Sequence, residues 1–456
     1  MYTTAPIPQL HGVFGQDPFA TNGHRFDQWI RGGSPLAVAF AQAWQDLRAY
    51  IAGTNVAGPL DVTAAQAGVD RGDSLKLQRA ITGQVEQVAR DRLHRDLMAL
   101  PHDSQRRVAW LQTDRESSSQ WVNGRPSHSF NMTAQEFREV ATTYFGLESP
   151  AVEPYARQGM HIPCSRTQPP GRVCDAWAHQ LGLATLPGTS HTACHDACGA
   201  ELFDIMAEGG FNVEPQPSHI FSTVLPPHVL LRRGRPPGIV PDAASLVSLP
   251  AVSRPQPVER RQPDQPARML LFDVKTIHGG GSAYTELSAA MRDSQCGAVR
   301  QRAWRVVTEY RHHANVLDAA HSPAGTTPVL DRLDSYTPVR GLVWGQYAEA
   351  SPDVHALVTK AANAIADRRW RRLGARSAAE VRSWVVAAMR RRLGLHVARE
   401  MARHRLSRLP YVGATHAAVR ARGRRGELRP GGGDTGGVRA DDFYAFQAQL
   451  VLPPAD

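Results

Sequence analysis

Between Pro35 and Leu100 apolar residues recur at helical spacing, in SPLAVAFAQAWQDLRAYIA and again in SLKLQRAITGQVEQVARDRLHRDLMAL, which predicts two or three amphipathic helices. Residues 1–30, rich in Gly, Pro and Asn, carry no period and read as a poorly ordered arm. A further helix is expected from Thr133, which with Glu136 matches a capping box ahead of AQEFREVATTYFGL. After an irregular stretch the period changes. A helix through DACGAELFDIMAE, stopped by Gly209 and Gly210, leads to a strand in FNVEP, a second in GIVPDAASLVSL and a third in RMLLFDVKTIH. Pro- and Arg-rich loop sequence precedes the second of these strands and separates it from the third. A long helix follows in CGAVRQRAWRVVTEYRHHANVLDAA, then a strand in VRGLVWGQYAEA, a helix in PDVHALVTKAANAIADRRWRRLG and Arg-dense helices through SAAEVRSWVVAAMRRRLGLHVAREMARHRLSRL. The last segment is a Gly/Arg linker with a short helix, DDFYAFQAQL. This order predicts an α/β core, a small mixed sheet flanked by helices, between mainly α-helical N- and C-terminal regions. The expected segments are 1–148 (helical), 149–194 (Cys/His-containing), 195–320 (core), 321–424 (strand and Arg-rich helices) and 425–456 (linker and helix).

Composition narrows the partners. A net charge of +10 favours a polyanion, because clustered cations release counterions from phosphates. The charge is nearly all arginine, so Lys76, Lys275 and Lys360 are conspicuous as the three lysines. Five cysteines, an odd number with four in one short stretch, suggest thiols or a metal site rather than a secreted disulfide framework. With no signal-peptide pattern and no apolar run of about 18 residues, a soluble intracellular protein without a membrane partner is expected.

The sharpest chemistry lies in two motifs on the predicted strands. Asp242 is read as ending one strand (IVPD), and Asp273 lies near the end of the next (LLFDVK), 31 residues on. Alternation puts Asp273 and Lys275 on one face of their strand and Val274 on the other. Two carboxylates at adjacent strand ends suit a hard cation such as Mg²⁺ or Mn²⁺, and a lysine there can position water and stabilise charge in phosphodiester hydrolysis.

This arrangement resembles the PD-(D/E)xK nuclease superfamily, with Pro241-Asp242 as the first element and Asp273-Val274-Lys275 as the second. From Cys164 to Asp318 the order of motifs is similar to the restriction-like endonuclease of non-long-terminal-repeat retrotransposon polyproteins, and VAWLQTDRESSSQWV resembles the connector preceding that domain. The resemblance implies a metal-dependent endonuclease acting on DNA in the nucleus, with no small-molecule cofactor. Asp242 and Asp273 would be its Mg²⁺ ligands and Lys275 would stand beside the attacking water. It also implies roles for His195 and Asp196, read as opening a helix, and for Arg305 and Tyr310 as supports for substrate phosphates. Glu201, projecting from the helix, and Glu214, projecting from the FNVEP strand, are candidates for a further carboxylate at the metal centre. No reverse-transcriptase signature is found, which leaves a fragment, a decayed copy or a stand-alone derivative, and a rival reading as a catalytically silent nucleic-acid-binding protein with a retained nuclease fold.

Two further groups are singled out. Cys164, Cys174, His179 and Cys194, with His191 close by, fall where that family places a zinc knuckle, and such ligands suit a structural Zn²⁺. Arg368, Arg369 and Arg371 around Trp370 combine phosphate contact with a stacking surface for unpaired bases.

Overall fold

A computed structural model describes residues 74–122, 131–163, 171–186, 190–230, 238–247, 269–278, 284, 287–336, 338–415 and 417. The expected arm, the helix before residue 74, Cys164 and the segment 425–456 lie outside these, whereas the connector-like stretch 108–122 lies within them. The chain divides into two compact units, Met1–His102 and Asp103–Asp456. In the first, the periodic run forms helix α1 (Ser74–Met98), as expected.

In the second unit α2 (Gln105–Gln112) precedes α3 (Ala134–Tyr144). Thr133 and Glu136 form the expected capping box at the start of α3, each side chain bonding the other's backbone N–H. A small hairpin, β1 (His161–Ile162) with β2 (Arg172–Val173), follows the short α4 (Glu153–Arg157) and leads to α5 (His179–Leu183). Helix α6 (Ser190–Glu208) starts earlier than the sequence suggests, so His195 and Asp196 lie in its second turn rather than opening it.

The central sheet has four strands in the order β3 (Val213–Pro215), β4 (Ala243–Ser245), β5 (Leu270–Thr276) and β6 (Arg340–Trp344). The first two pairings are antiparallel and β5 runs parallel to β6. The parallel step needs a crossover, and α9 (Gly297–His321) supplies it, after α7 (Pro227–Leu230) and α8 (Ala289–Arg292) and before α10 (Pro328–Asp334). Asp242 does not end a strand, as expected from IVPD, but immediately precedes one. Pro241 has no N–H to give a ladder, so regular pairing begins only after it.

Both faces of the sheet are covered. Phe272, Val274, Leu342 and Trp344 pack into one core with α6, α11 (Pro352–Arg369) and α12 (Ala378–Leu406). Ala244 and Leu271 face the opposite way, into a second core with Val306, Tyr310, Ala314 and Leu317 of α9. The Arg-dense C-terminal sequence forms a single helix, α12, which runs on without a break. Among the described residues no helix is long and apolar enough to cross a membrane.

Candidate active site

Strand register brings the two acidic motifs together. In the β4/β5 ladder Ala243 pairs with Phe272, so one step further Asp242 stands across from Asp273, where opposed Cβ atoms lie about 5 Å apart. The side chain of Asp242 also crosses the gap, its Oδ2 accepting the Val274 N–H at 2.7 Å. The Asp242 carbonyl accepts from Gln216, which continues the β3/β4 pairing past its last strand residues. The two motifs are therefore adjacent in space although 30 residues separate them in the sequence.

Close helix packing builds the rest. Gly341 of β6 pairs with Asp273, and a Cβ there would lie 2.8 Å from Ala303 Cα and 3.0 Å from Val306 Cγ2. Its absence lets α9 lie directly on the sheet, and two turns beyond Ala303 the Tyr310 hydroxyl donates to Asp273 Oδ1 at 2.9 Å. On the other face Gly199 brings α6 against Val274. One turn back from Gly199, His195 places Nε2 2.9 Å from the Val274 carbonyl and 3.6 Å from Asp242 Oδ2, while its Nδ1 lies 2.8 Å from Asp196 Oδ1.

Asp273 is buried, with 4 % exposure, as is Tyr310. Asp273 Oδ2 meets Lys275 Nζ at 2.6 Å as a close ion pair. Burial drives its carboxyl above the usual range, Lys275 and the Tyr310 bond pull it back, and Asp242 pushes it up again. Asp242 is lowered: burial raises it, but His195, the Val274 N–H and Lys275 outweigh that. Burial disfavours the charged His195 ring, yet Asp242, Asp196 and the Val274 carbonyl raise it to about 9. At neutral pH the ring is therefore a cation donating from both nitrogens.

Compared with protein-family models, curated proteins and solved structures, the chain matches none.

Thus Asp242, Asp273, Lys275, His195, Asp196 and Tyr310 share one place. Tyr310, expected to support phosphates, is buried against Asp273 and holds that carboxylate. Arg305 is exposed on the same helix. Glu214 lies on the edge strand, where its carboxylate meets His219 Nδ1 at 2.9 Å. The Arg/Trp group is elsewhere. Arg368 donates to the Glu208 carbonyl at the far end of α6, about 20 Å along the helix from His195. Trp370 packs on the core beneath the Arg371 guanidinium, which is 5.0 Å from its ring centre.

The described members of the expected zinc set, Cys174, His179 and Cys194, form no metal-holding group among the described residues. Cys174 packs with Ile162, Leu181 and Tyr411, while Cys194 packs in the main core with its Sγ 3.8 Å from Met401 Sδ. His179 lies beside Asp175 and Gln346. Burial of the thiols beside apolar side chains is what separates them. Glu201, a weaker candidate for the acidic centre, is bound to Arg392 of α12 instead.

Proposed function

We propose that the protein is a metal-dependent endonuclease that hydrolyses DNA phosphodiester bonds at Asp242, Asp273 and Lys275. The observation that carries the reading is the antiparallel register that sets Asp242 across from Asp273, with Lys275 on the same strand face two residues on. The order helix, three strands, helix, strand, with both motifs at one end of the sheet, accords with a restriction-endonuclease-like core of the PD-(D/E)xK kind.

The donor set fits a hard cation, since it offers two carboxylates set across from each other, one of them paired with the Lys275 ammonium whose charge a bound cation would partly replace. Asp242 and Asp273 would hold the ion, whose charge would offset that of the phosphate and make bound water more acidic. Lys275 stands where it can orient the attacking water and stabilise the charge that develops on phosphate oxygen. Tyr310 fixes the Asp273 carboxylate and His195 that of Asp242, so both are held before substrate arrives. A nuclear location follows from DNA as substrate.

The test is conversion of supercoiled plasmid to nicked circle with Mg²⁺, Mn²⁺ or chelator. Wild type should nick only with metal, and Lys275→Ala should slow nicking by at least about 100-fold. An undiminished rate in Lys275→Ala would overturn the assignment. A folded wild type that shifts DNA but never nicks it would establish the silent binding protein instead.

A further inference from the structure

Beside this centre, three imidazoles from distant parts of the chain converge: His191 in the first turn of α6, His278 just past β5, and His404 near the end of α12. Their ligand atoms all lie within 4.8 Å of one another. The ring centres are 4.9 Å apart for His191 and His278, 4.6 Å for His191 and His404, and 3.9 Å for His278 and His404. We infer that these three histidines form a zinc-class metal site, separate from the carboxylate centre and from the cysteine set.

Three nitrogen donors are the chemistry Zn²⁺ favours, at bond lengths of about 2.0–2.1 Å. A tetrahedron of such bonds sets nitrogens about 3.3 Å apart, so the rings would turn to bring their atoms closer by at most about 1.5 Å. The stacked pair His278 and His404 opens in that movement. A ring that binds a metal commonly gives its second nitrogen to an oxygen partner, and two such partners stand ready. His404 Nε2 is 3.3 Å from the Gly182 carbonyl, and His278 Nε2 is 3.2 Å from Thr276 Oγ1. The neighbouring cations are already engaged: Arg405 with Glu139 at 3.2 Å, and Arg408 with the carbonyls of Leu181, Gly182 and Ala184.

The site would clamp the end of β5, which bears Asp273 and Lys275, to α6, which bears His195. His278 lies three residues beyond Lys275, just past β5, and His191 lies one turn before His195 on α6. A metal joining them to α12 would fix the strand end against the helix without needing any activity at the carboxylates. The inference is thus independent of the nuclease reading.

The experiment is metal analysis of the full chain after dialysis against Zn²⁺ and then against metal-free buffer, with thermal unfolding of the same samples. Wild type should retain about one zinc per chain and lose several degrees of Tm when stripped with chelator. His191→Asn and His278→Asn should each lose the retained zinc and the chelator response. Replacing zinc by Co²⁺ gives a check that needs no variant. Nitrogen ligation alone gives weak visible bands, whereas a thiolate ligand adds strong near-ultraviolet absorption. No retained zinc in wild type, zinc retained by both variants, or a thiolate band that vanishes in Cys174→Ser would each overturn the assignment.

Discussion

At the scale of single residues, the protein buries ionisable groups and gives them close hydrogen-bond partners. Glu349 is fully buried, with Oε1 accepting from the Tyr284 hydroxyl at 2.7 Å and Oε2 from the Tyr347 N–H at 3.0 Å. Burial nonetheless raises its carboxyl from 4.5 to about 8. The folded chain therefore holds this proton more tightly than the unfolded chain. The stability that results is complete below about pH 4.5 and is lost as pH rises through about 8. The urea midpoint should decline across that window in wild type and decline less in Glu349→Gln, which has no proton to lose; equal slopes would refute this origin. Tyr310 gives a second test. Tyr310→Phe strips a donor from the buried Asp273 and should cost about 1–3 kcal/mol in denaturant unfolding. A neutral result would mean that water replaces the hydroxyl.

At the scale of elements, glycines decide how near the helices approach the sheet. Gly341 admits α9 so closely that a Cβ would overlap backbone atoms at Ala303, and backbone cannot swing aside as a flexible side chain can. Gly341→Val should displace α9 or destabilise the core by about 1–3 kcal/mol. Because Tyr310 rides on α9, the displacement should also loosen its bond to Asp273. Thermal unfolding measures the first effect and the rate of plasmid nicking the second; unchanged values for both would show that α9 does not press on β6 as described.

At the scale of the whole second unit, arginines on α12 tie distant elements together. Arg392 binds Glu201 and Glu208 of α6, Arg403 reaches Glu136 of α3 at 2.5 Å, and Arg390 meets Glu116 at 2.9 Å. Arg392 and both its glutamates are largely shielded from water. Losing the cation leaves two buried carboxylates without it, which should cost about 3–5 kcal/mol in Arg392→Met. Urea unfolding would test this, and a loss below about 1 kcal/mol would show the pair to be replaceable by water. These pairs also alter what the basic composition means. Much of the arginine in this helix holds the fold together, so net charge alone overstates the surface offered to a polyanion.

The local sequence by itself determined which core segments become helix and which become strand, while the start of α6 and the place of Asp242 relative to β4 came from the tertiary structure. Period and punctuation are short-range properties, so the capping box at Thr133, the strand ending in Asp273-Val274-Lys275 and the long helix after Cys296 were all legible from side-chain spacing. Pairing Asp273 with Lys275 was legible too, because alternation within one strand sets which residues share a face. Only the tertiary structure decided the rest. The register that sets Asp242 across from Asp273 depends on ladder bonds spanning a long insertion. The convergence of His191, His278 and His404 depends on three elements packing together, and the separation of Cys174 from Cys194 depends on which core each thiol enters. Sequence spacing carries no signal for such contacts, since residues far apart along the chain meet through packing that every other element helps to define.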